Sequence, residues 1–401
     1  MSYRLLTVAA PSAARTAFWY RVSLVAGVTL AMLWTSASSF PATLQAADPA
    51  EKAAAKVTGV DPAKVQAARA KATAFLKAAQ NADGSWTNSK APGVSGLVTY
   101  ALLRSGVSAE DPVIKKAIAH LLTFRQKDGG IYNAESAHGN YETSIVLLAL
   151  TAANTDKRYQ KELADALAYL KKAQWDSSEG IAPSDIKYGG AGYGRTGDRP
   201  DLSNTVYLLE ALKAAGVKED DEAMKNAIIF VSRCQNLESE ANTTPFAGKI
   251  NDGGFYYTPA AGGSSMAGKT ENGGLRSYGS MTYAGLKSFI YAGLKADDPR
   301  VKAALTWISK HYTVKENPGM GQQGLYYYYH TYSKALAAVG KPEVMDDKGT
   351  AHNWRVELGE QILSLQKDDG SWVNMEARWF EGDPNMATSL ALLSLAYCVA
   401  P

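Results

Sequence analysis

The 401-residue chain has little cysteine and little histidine, with two residues of the first kind and five of the second. Neither Cys234 nor Cys398 stands in a metal-ligand spacing such as Cys-x-x-Cys, so the sequence excludes a disulfide-rich scaffold and predicts no metal site. A single disulfide between these two cysteines remains an alternative. Two separate buried thiols are favoured, because Cys398 ends an apolar helical stretch, where cysteine behaves as a small hydrophobe.

A net charge of either sign is also lacking in most of the chain. Of 42 basic residues only Arg4, Arg15 and Arg21 precede position 48, and none of the 39 acidic residues does, which leaves 39 of each in the remainder. A formally neutral chain offers no general attraction to phosphate backbones. Nucleic acid is therefore not expected as a partner.

The N-terminus has the pattern of a secretory signal. Its arginines precede an apolar run, Val22 to Trp34, and small residues follow before Asp48. We predict a signal peptide over residues 1–47, a tether over 48–60 and one domain over 61–401, in a protein that is periplasmic or extracellular. An uncleaved anchor is the alternative and would be the only membrane association, because the apolar run is near the lower limit for a span.

A short sequence motif, which marks the ends of helices, recurs along the chain. In segment 75–86 a helix end with Gln80 is followed by Asp-Gly-Ser-Trp. Segment 362–372 has the same order, beginning with Gln366. Looser copies follow Gln126, Gln174 and Gln235. Self-similarity of this kind indicates a repeat architecture in which each unit buries its apolar face against the next.

Each copy of the motif is followed by a helix that is apolar on most of its circumference, which is typical of a buried helix. The helices that precede the motif are more amphipathic, which suits a position in the outer ring. Aligning the buried helices puts one hydroxyl residue of each in a common column: Ser95, Thr143, Thr205, Thr282, Thr331 and Thr388. We predict an all-α fold of six helical hairpins, closed into an (α/α)6 toroid of twelve helices in two concentric rings, with an open solenoid as the alternative.

The two full motifs, Gln80-x-x-x-Gly84-x-Trp86 and Gln366-x-x-x-Gly370-x-Trp372, resemble the QW repeat of squalene-hopene and oxidosqualene cyclases. Protein prenyltransferase β subunits share a weaker form of this repeat. The resemblance covers about residues 60–401 and implies the toroid fold, though no particular activity. The motif residues themselves are interpreted as structural staples at helix ends.

The residues that the cyclases use as acid are changed here. The family's Asp-x-Asp-Asp-Thr corresponds to the stretch 201–205, in which Ser203 takes the place of the proton-donating Asp and Asn204 that of its partner. A serine hydroxyl is far too weak an acid to protonate an alkene. The resemblance therefore implies no cyclisation of squalene.

The zinc site of the prenyltransferases is incomplete as well. Their Tyr-His-Thr element is matched at His330, but Tyr278 and Ser280 stand where the resemblance implies an Asp and a Cys. One histidine does not hold a catalytic zinc, which takes three protein ligands. We predict no metal and no cofactor.

Residues just before the hydroxyl column should surround the central cavity. The catalytic candidates are Glu142, His330 and Asp201, although each of these also suits a capping role, Asp201 above all at the start of its helix. Aromatic and polar neighbours make up the candidate ligand-binding set: Tyr141, Ser203, Asn204, Ser280, Tyr283, Tyr329, Trp379 and Asp383. The tyrosines could equally serve only to fill a wide barrel.

Three functions compete. The first is an exported, cyclase-like protein that binds a small apolar ligand, isoprenoid or lipid, in a tyrosine-rich cavity. The second is an exported polysaccharide hydrolase or lyase that acts on a glycan with Glu142 paired with Asp201 or Asp383. The third is a scaffold whose loops contact another protein.

Overall fold

The computed structural model describes residues 58–194 and 199–400. The predicted signal peptide and most of the predicted tether lie outside these ranges. The described chain is almost entirely helical, with one two-residue antiparallel hairpin, β1 (Val344–Met345) and β2 (Ala351–His352). Within these ranges no helix has the length and apolar character that a membrane span requires.

Twelve helices form six hairpins, each an outer helix followed by an inner one, and this confirms the predicted α/α toroid. In chain order they are α1 (Pro62–Ala78) with α2 (Pro92–Arg104), α3 (Pro112–Leu122) with α4 (Gly139–Ala153), α5 (Gln160–Lys172) with α6 (Leu202–Ala214), α7 (Glu222–Arg233) with α9 (Gly279–Tyr291) and the single-turn α8 (Ala247–Ile250) between them, α10 (Pro299–Lys310) with α11 (Leu325–Val339), and α12 (Trp354–Ser364) with α13 (Pro384–Cys398).

The inner helices pack in a closed ring. Each contacts the next one along the chain, and α13 packs against α2, while α1 packs against α12 and α13. An open solenoid would leave the first and last helices without these neighbours. The ring is therefore complete.

Several outer helices begin at an aspartate whose side chain accepts a hydrogen bond from the backbone two residues on, at 2.8–3.0 Å. In three of them a proline follows the cap at the first helical position, where its missing N–H costs nothing. Two of the caps also accept from a lysine at the end of the preceding outer helix, both at 2.6 Å: Asp111 from Lys77, and Asp221 from Lys171. Adjacent repeats are thereby joined at their outer surface.

The hydroxyl column ties each connecting loop to its inner helix. In five of the six repeats the hydroxyl accepts the backbone N–H of the residue at the motif's aromatic position, at 2.9–3.1 Å. The pairs are Trp86 with Ser95, Ile131 with Thr143, Ala191 with Thr205, Phe255 with Thr282, and Trp372 with Thr388. Thr331 bonds only to carbonyls of its own helix.

The motif glutamine joins one repeat to the next. The Gln80 amide donates to the Gly84 carbonyl and, at 2.9 Å, to the Val113 carbonyl at the start of α3. Gln174 and Gln235 contact the next outer helix in the same way, whereas Gln126 bonds within its own loop. Gln366 donates to the Ala68 carbonyl of α1 at 2.9 Å. The last repeat is therefore attached to the first by the same kind of contact that Gln80, Gln174 and Gln235 make.

The motif tryptophans act within their own hairpins. The indole N–H of Trp86 donates to the Leu76 carbonyl, and that of Trp372 donates to the Ile362 carbonyl, at 2.7 and 2.8 Å. Both rings are fully buried. Each indole thus satisfies a carbonyl near the end of the outer helix that precedes it, as a staple would.

Residues just before the predicted domain boundary at residue 61 contact the toroid. Val60, assigned to the tether, is 2% exposed, and its N–H donates to the Cys398 carbonyl at 3.1 Å. Its side chain packs on Gly359, where a Cβ would lie within 3 Å of it. Burial of this apolar side chain fixes residues 58–60 to the toroid. Cys398 and Cys234 are separate buried thiols.

Ring closure can be measured with a matched pair of glycines. Gly370 and Gly349 have similar positive φ values, +88° and +84°, but a Cβ at Gly370 would meet the Lys71 carbonyl of α1 at 2.7 Å, whereas nothing lies within 4 Å of one at Gly349. Gly349→Ala should cost about 1–2 kcal/mol through the backbone alone. Gly370→Ala should cost about 1–3 kcal/mol more in urea unfolding, because α1 must move away. Equal losses of unfolding free energy in Gly370→Ala and Gly349→Ala would show that the last repeat is not in close contact with the first.

Candidate functional site

All six inner helices run in the same direction, because each follows an outer helix of opposite direction. Their N-termini therefore meet at one end of the ring, together with the loops that carry the motifs. We call this end the mouth, and the space enclosed by the inner helices the lumen. Parallel helix N-termini concentrate partial positive charge at the mouth, and the C-termini concentrate negative charge at the opposite end.

Tyrosines from three inner helices and one loop meet at the mouth. The Tyr207 ring of α6 lies 5.2 Å from the Tyr141 ring of α4 and 6.2 Å from the Tyr327 ring of α11, and Tyr193 lies 6.1 Å from Tyr141. The Ser203 and Tyr327 hydroxyls are 3.1 Å apart. Because α6 and α11 are not neighbours in the inner ring, the two contacts of Tyr327 cross the lumen. We call these five residues the mouth cluster.

The predicted cyclase-acid stretch lies beside this cluster. Asp201 caps α6, accepting from the Asn204 backbone N–H at 2.9 Å and from its side-chain amide at 2.8 Å, and this confirms its predicted capping role. Asp201 also interacts with the Tyr257 hydroxyl, whose pKa is raised by burial and by this carboxylate. The Asn204 side-chain oxygen is buried and has no hydrogen-bond partner.

Deeper in the lumen lies an ion cluster that sequence reasoning missed. Glu210 of α6 pairs with Lys287 of α9 and with Lys334 of α11, and all three side chains are at most 5% exposed. The link from Glu210 to Lys334 again joins helices that are not neighbours, so charged groups span the centre of the barrel. The signal in the sequence is a charged residue among apolar ones in each of these inner helices.

Electrostatics within the lumen follow from two lysines sharing one carboxylate. Burial opposes ionisation of Glu210, but the two lysines outweigh it and hold its pKa below the ordinary value. Burial and the neighbouring Lys334, only partly offset by Glu210, lower the pKa of Lys287 to about 8. Burial and Lys334 also lower the pKa of His330, whose ring Nδ1 is buried without a partner. His330 is therefore neutral and faces cations rather than a metal site.

Glu142 lies in the first turn of α4 and is 5% exposed. Its carboxylate accepts from the Asn133 N–H at 2.8 Å and from the Ser136 hydroxyl at 3.2 Å, both in the preceding loop. Burial raises its pKa to about 7, against the lowering effect of these two bonds. Glu142 is thus a buried carboxyl that can exchange a proton near neutral pH.

Three of the predicted ligand-binding residues lie outside the lumen. Tyr283 is buried behind the inner ring, with its ring 4.6 Å from that of Tyr332. Tyr329 donates its hydroxyl to the Val314 carbonyl at 2.9 Å. Ser280 bonds to the side chain of Asn317 through its backbone N–H and its hydroxyl. These groups fill space between helices, because successive positions of one helix cannot all face the lumen.

The remaining two candidates lie on the rim of the mouth. Trp379 is 39% exposed, has a left-handed backbone (φ +56°) and lies 4.4 Å from the Arg378 guanidinium. Asp383 caps α13, accepting from the Met386 N–H at 3.0 Å and from the Thr87 hydroxyl at 2.9 Å. No group of three or more His, Cys, Asp or Glu in the described ranges is arranged to hold a metal ion.

The fold is similar to that of type II terpene cyclases. A variant of the cyclase MstE from Scytonema, in its apo form, has 13% sequence identity and a TM-score of 0.51, covering 84% of this chain and 98% of its own. A second variant, in complex with geranylgeranyl dihydroxybenzoate as substrate, gives the same identity, coverage and score. Protein geranylgeranyltransferase-I of Candida albicans, complexed with GGPP, has 12% identity over 82% of this chain and 90% of its own, with a TM-score of 0.44.

The similarity to the two cyclase structures confirms, at the level of the fold, the resemblance inferred from the QW-type motifs. No protein-family model and no curated protein matches the chain in sequence. At such low identity the shared toroid leaves the chemistry to be argued from the side chains.

Glu142 should make the stability of the protein depend on pH. Its pKa is raised from 4.5 to about 7, so the folded state favours the protonated carboxyl; this stabilisation is complete below about pH 4.5 and is lost as the pH rises through 7. Urea unfolding from pH 4 to 8 should show a free energy of unfolding that falls by about 3 kcal/mol relative to Glu142→Gln. Parallel curves for the two proteins would rule out the raised pKa.

Proposed function

We propose that this chain binds an apolar ligand of the isoprenoid or lipid class at the tyrosine-lined mouth of its toroid. The mouth cluster carries the proposal, because its rings converge from α4, α6 and α11 while Tyr141, Tyr193 and Tyr327 stay half-buried. Phenol rings offer a broad apolar surface with polar tips. Further support comes from the similar toroid that holds geranylgeranyl dihydroxybenzoate.

The site binds without cyclising its ligand. Ser203, at the position of the family's acid, shares a hydrogen bond with Tyr327, and burial raises the pKa of that phenol. Neither hydroxyl is a strong acid, and protonation of an alkene needs one. Lys287 and Lys334 below them make the deeper lumen charged rather than apolar, which favours a ligand held near the mouth.

Zinc-dependent prenyl transfer is unsupported by the donor set. Ser280 is engaged by Asn317, and His330 lies beside two lysines whose charges disfavour a bound cation. We further propose that the mature protein acts in the periplasm or outside the cell and begins near Ala47 or Asp48, in line with its N-terminal sequence.

A polysaccharide hydrolase or lyase is the second candidate, favoured by one observation. The pKa of Glu142, about 7, suits a general acid. Its proposed partners, Asp201 and Asp383, each cap their own helix. Reducing ends released from a polysaccharide by the protein and lost in Glu142→Gln would favour this candidate over ligand binding alone.

Calorimetric titration with geranylgeraniol tests the binding site. Tyr141→Ala and Tyr327→Ala should each weaken binding roughly tenfold, the effect of losing about 1.4 kcal/mol of contact. Tyr327→Phe should keep most of the affinity, because the ring remains. Tyr100→Ala is the matched control, since this half-buried tyrosine lies in the last turns of α2, at the opposite end of the lumen. Equal losses from all three alanine variants would refute a mouth site.

Incubation with squalene in detergent should give no cyclic product, as judged by gas chromatography with mass spectrometry. The double change of Ser203→Asp with Asn204→Asp restores both of the family's acids and serves as the comparison. Cyclic product from the unmodified chain would show that another acid, Glu142 first, does this chemistry.

A further inference from the structure

A separate cleft lies at the end of the toroid opposite the mouth. It is formed by the C-terminal ends of α11 and α13 and the start of α12, and its volume is about 400 Å³. Most of its lining is small and apolar, from Ala337, Gly340, Ala396 and Val399. The cleft thus has the size of a small-molecule site, for which about 300–1,000 Å³ is usual.

The cleft contains a buried charge without a counter-ion. Arg355 lines it, is only 7% exposed, and stacks its guanidinium on the Trp354 ring at 4.1 Å. Its Nε has no hydrogen-bond partner, and no carboxylate within residues 58–194 and 199–400 forms an ion pair with it. Uncompensated buried charges are costly, and arginines in such positions are normally paired.

The surroundings supply further donors. Tyr397 also lines the cleft and is half-buried. Its hydroxyl also interacts electrostatically with Lys334 at the centre of the lumen. A guanidinium with a nearby phenol is a donor set for an anion, and its planar fork matches a carboxylate.

We propose that this cleft binds a small monocarboxylate, with the Arg355 guanidinium as its anchor. The carboxylate oxygens accept from Arg355, Tyr397 donates a further hydrogen bond, and the alkyl part of the ligand lies against Ala337, Ala396 and Val399. The C-terminal ends of α11 and α13 carry partial negative charge, which disfavours a dianion such as a phosphate ester. One guanidinium balances one carboxylate. This site is independent of the apolar ligand proposed for the mouth.

Calorimetric titration with sodium butyrate at constant ionic strength tests the proposal, with butanol as the neutral probe. Butyrate should bind the full chain, and butanol should not. Arg355→Met should weaken butyrate binding about tenfold or more, because a charge-assisted pair is lost. Arg355→Lys should bind butyrate with an affinity between those of the parent and Arg355→Met, because lysine keeps the positive charge but lacks the planar guanidinium. Arg104→Met, which removes an exposed arginine at the same end of the toroid, should change nothing.

Two further variants separate binding from structure. Ala396→Leu fills the cleft and should abolish butyrate binding while Arg355 stays in place. Without ligand, Arg355→Met should melt no lower than the parent, because an unpaired buried charge is removed. Equal butyrate affinity in the parent and Arg355→Met, or a lower melting temperature of that variant without ligand, would overturn the proposal.

Discussion

The structure depends on one contact between successive outer helices. A glutamine side chain at the end of one outer helix bonds to a carbonyl of the next, and the glycine of the same motif lies directly against that helix. A side chain at Gly84 would collide with the Lys116 carbonyl at 2.4 Å, and one at Gly370 with the Lys71 carbonyl at 2.7 Å. Four of the six repeats make the glutamine bond, and one of these bonds joins the last repeat to the first.

Closure determines what the interior can do. It arranges the six parallel inner helices in a ring, so that their N-termini and the long loops surround one mouth. It also brings Glu210 into contact with Lys287 and Lys334, which are separated from it by 77 and 124 positions in the sequence. These charges occupy the middle of the lumen. We therefore place the proposed apolar ligand at the tyrosines of the mouth, while the opposite end has its own cleft beside Arg355.

Much of this architecture can be read from the sequence, because local patterns determine it. The Gln and Gly motif marks the helix ends, the apolar helices mark the inner ring, and Asp201 precedes a helix as a cap should. The ion cluster could not be read in this way, since its partners meet only after closure. The orientation of Tyr283 and Tyr329 depends on how far each inner helix is rotated about its axis, which the hydroxyl column alone does not specify. Val60 looked like tether because its burial partner, Gly359, lies at the other end of the sequence.

We propose that the closed toroid carries an apolar molecule at its mouth. Native mass spectrometry of the full protein, purified without detergent from the cells that make it, tests this most directly. We expect a mass above that of the chain. The additional mass should be released on denaturation as an isoprenoid or lipid, and it should be absent when Tyr141 and Tyr327 are both replaced by alanine. A folded protein with no bound molecule, or a molecule that persists in the double variant, would contradict it.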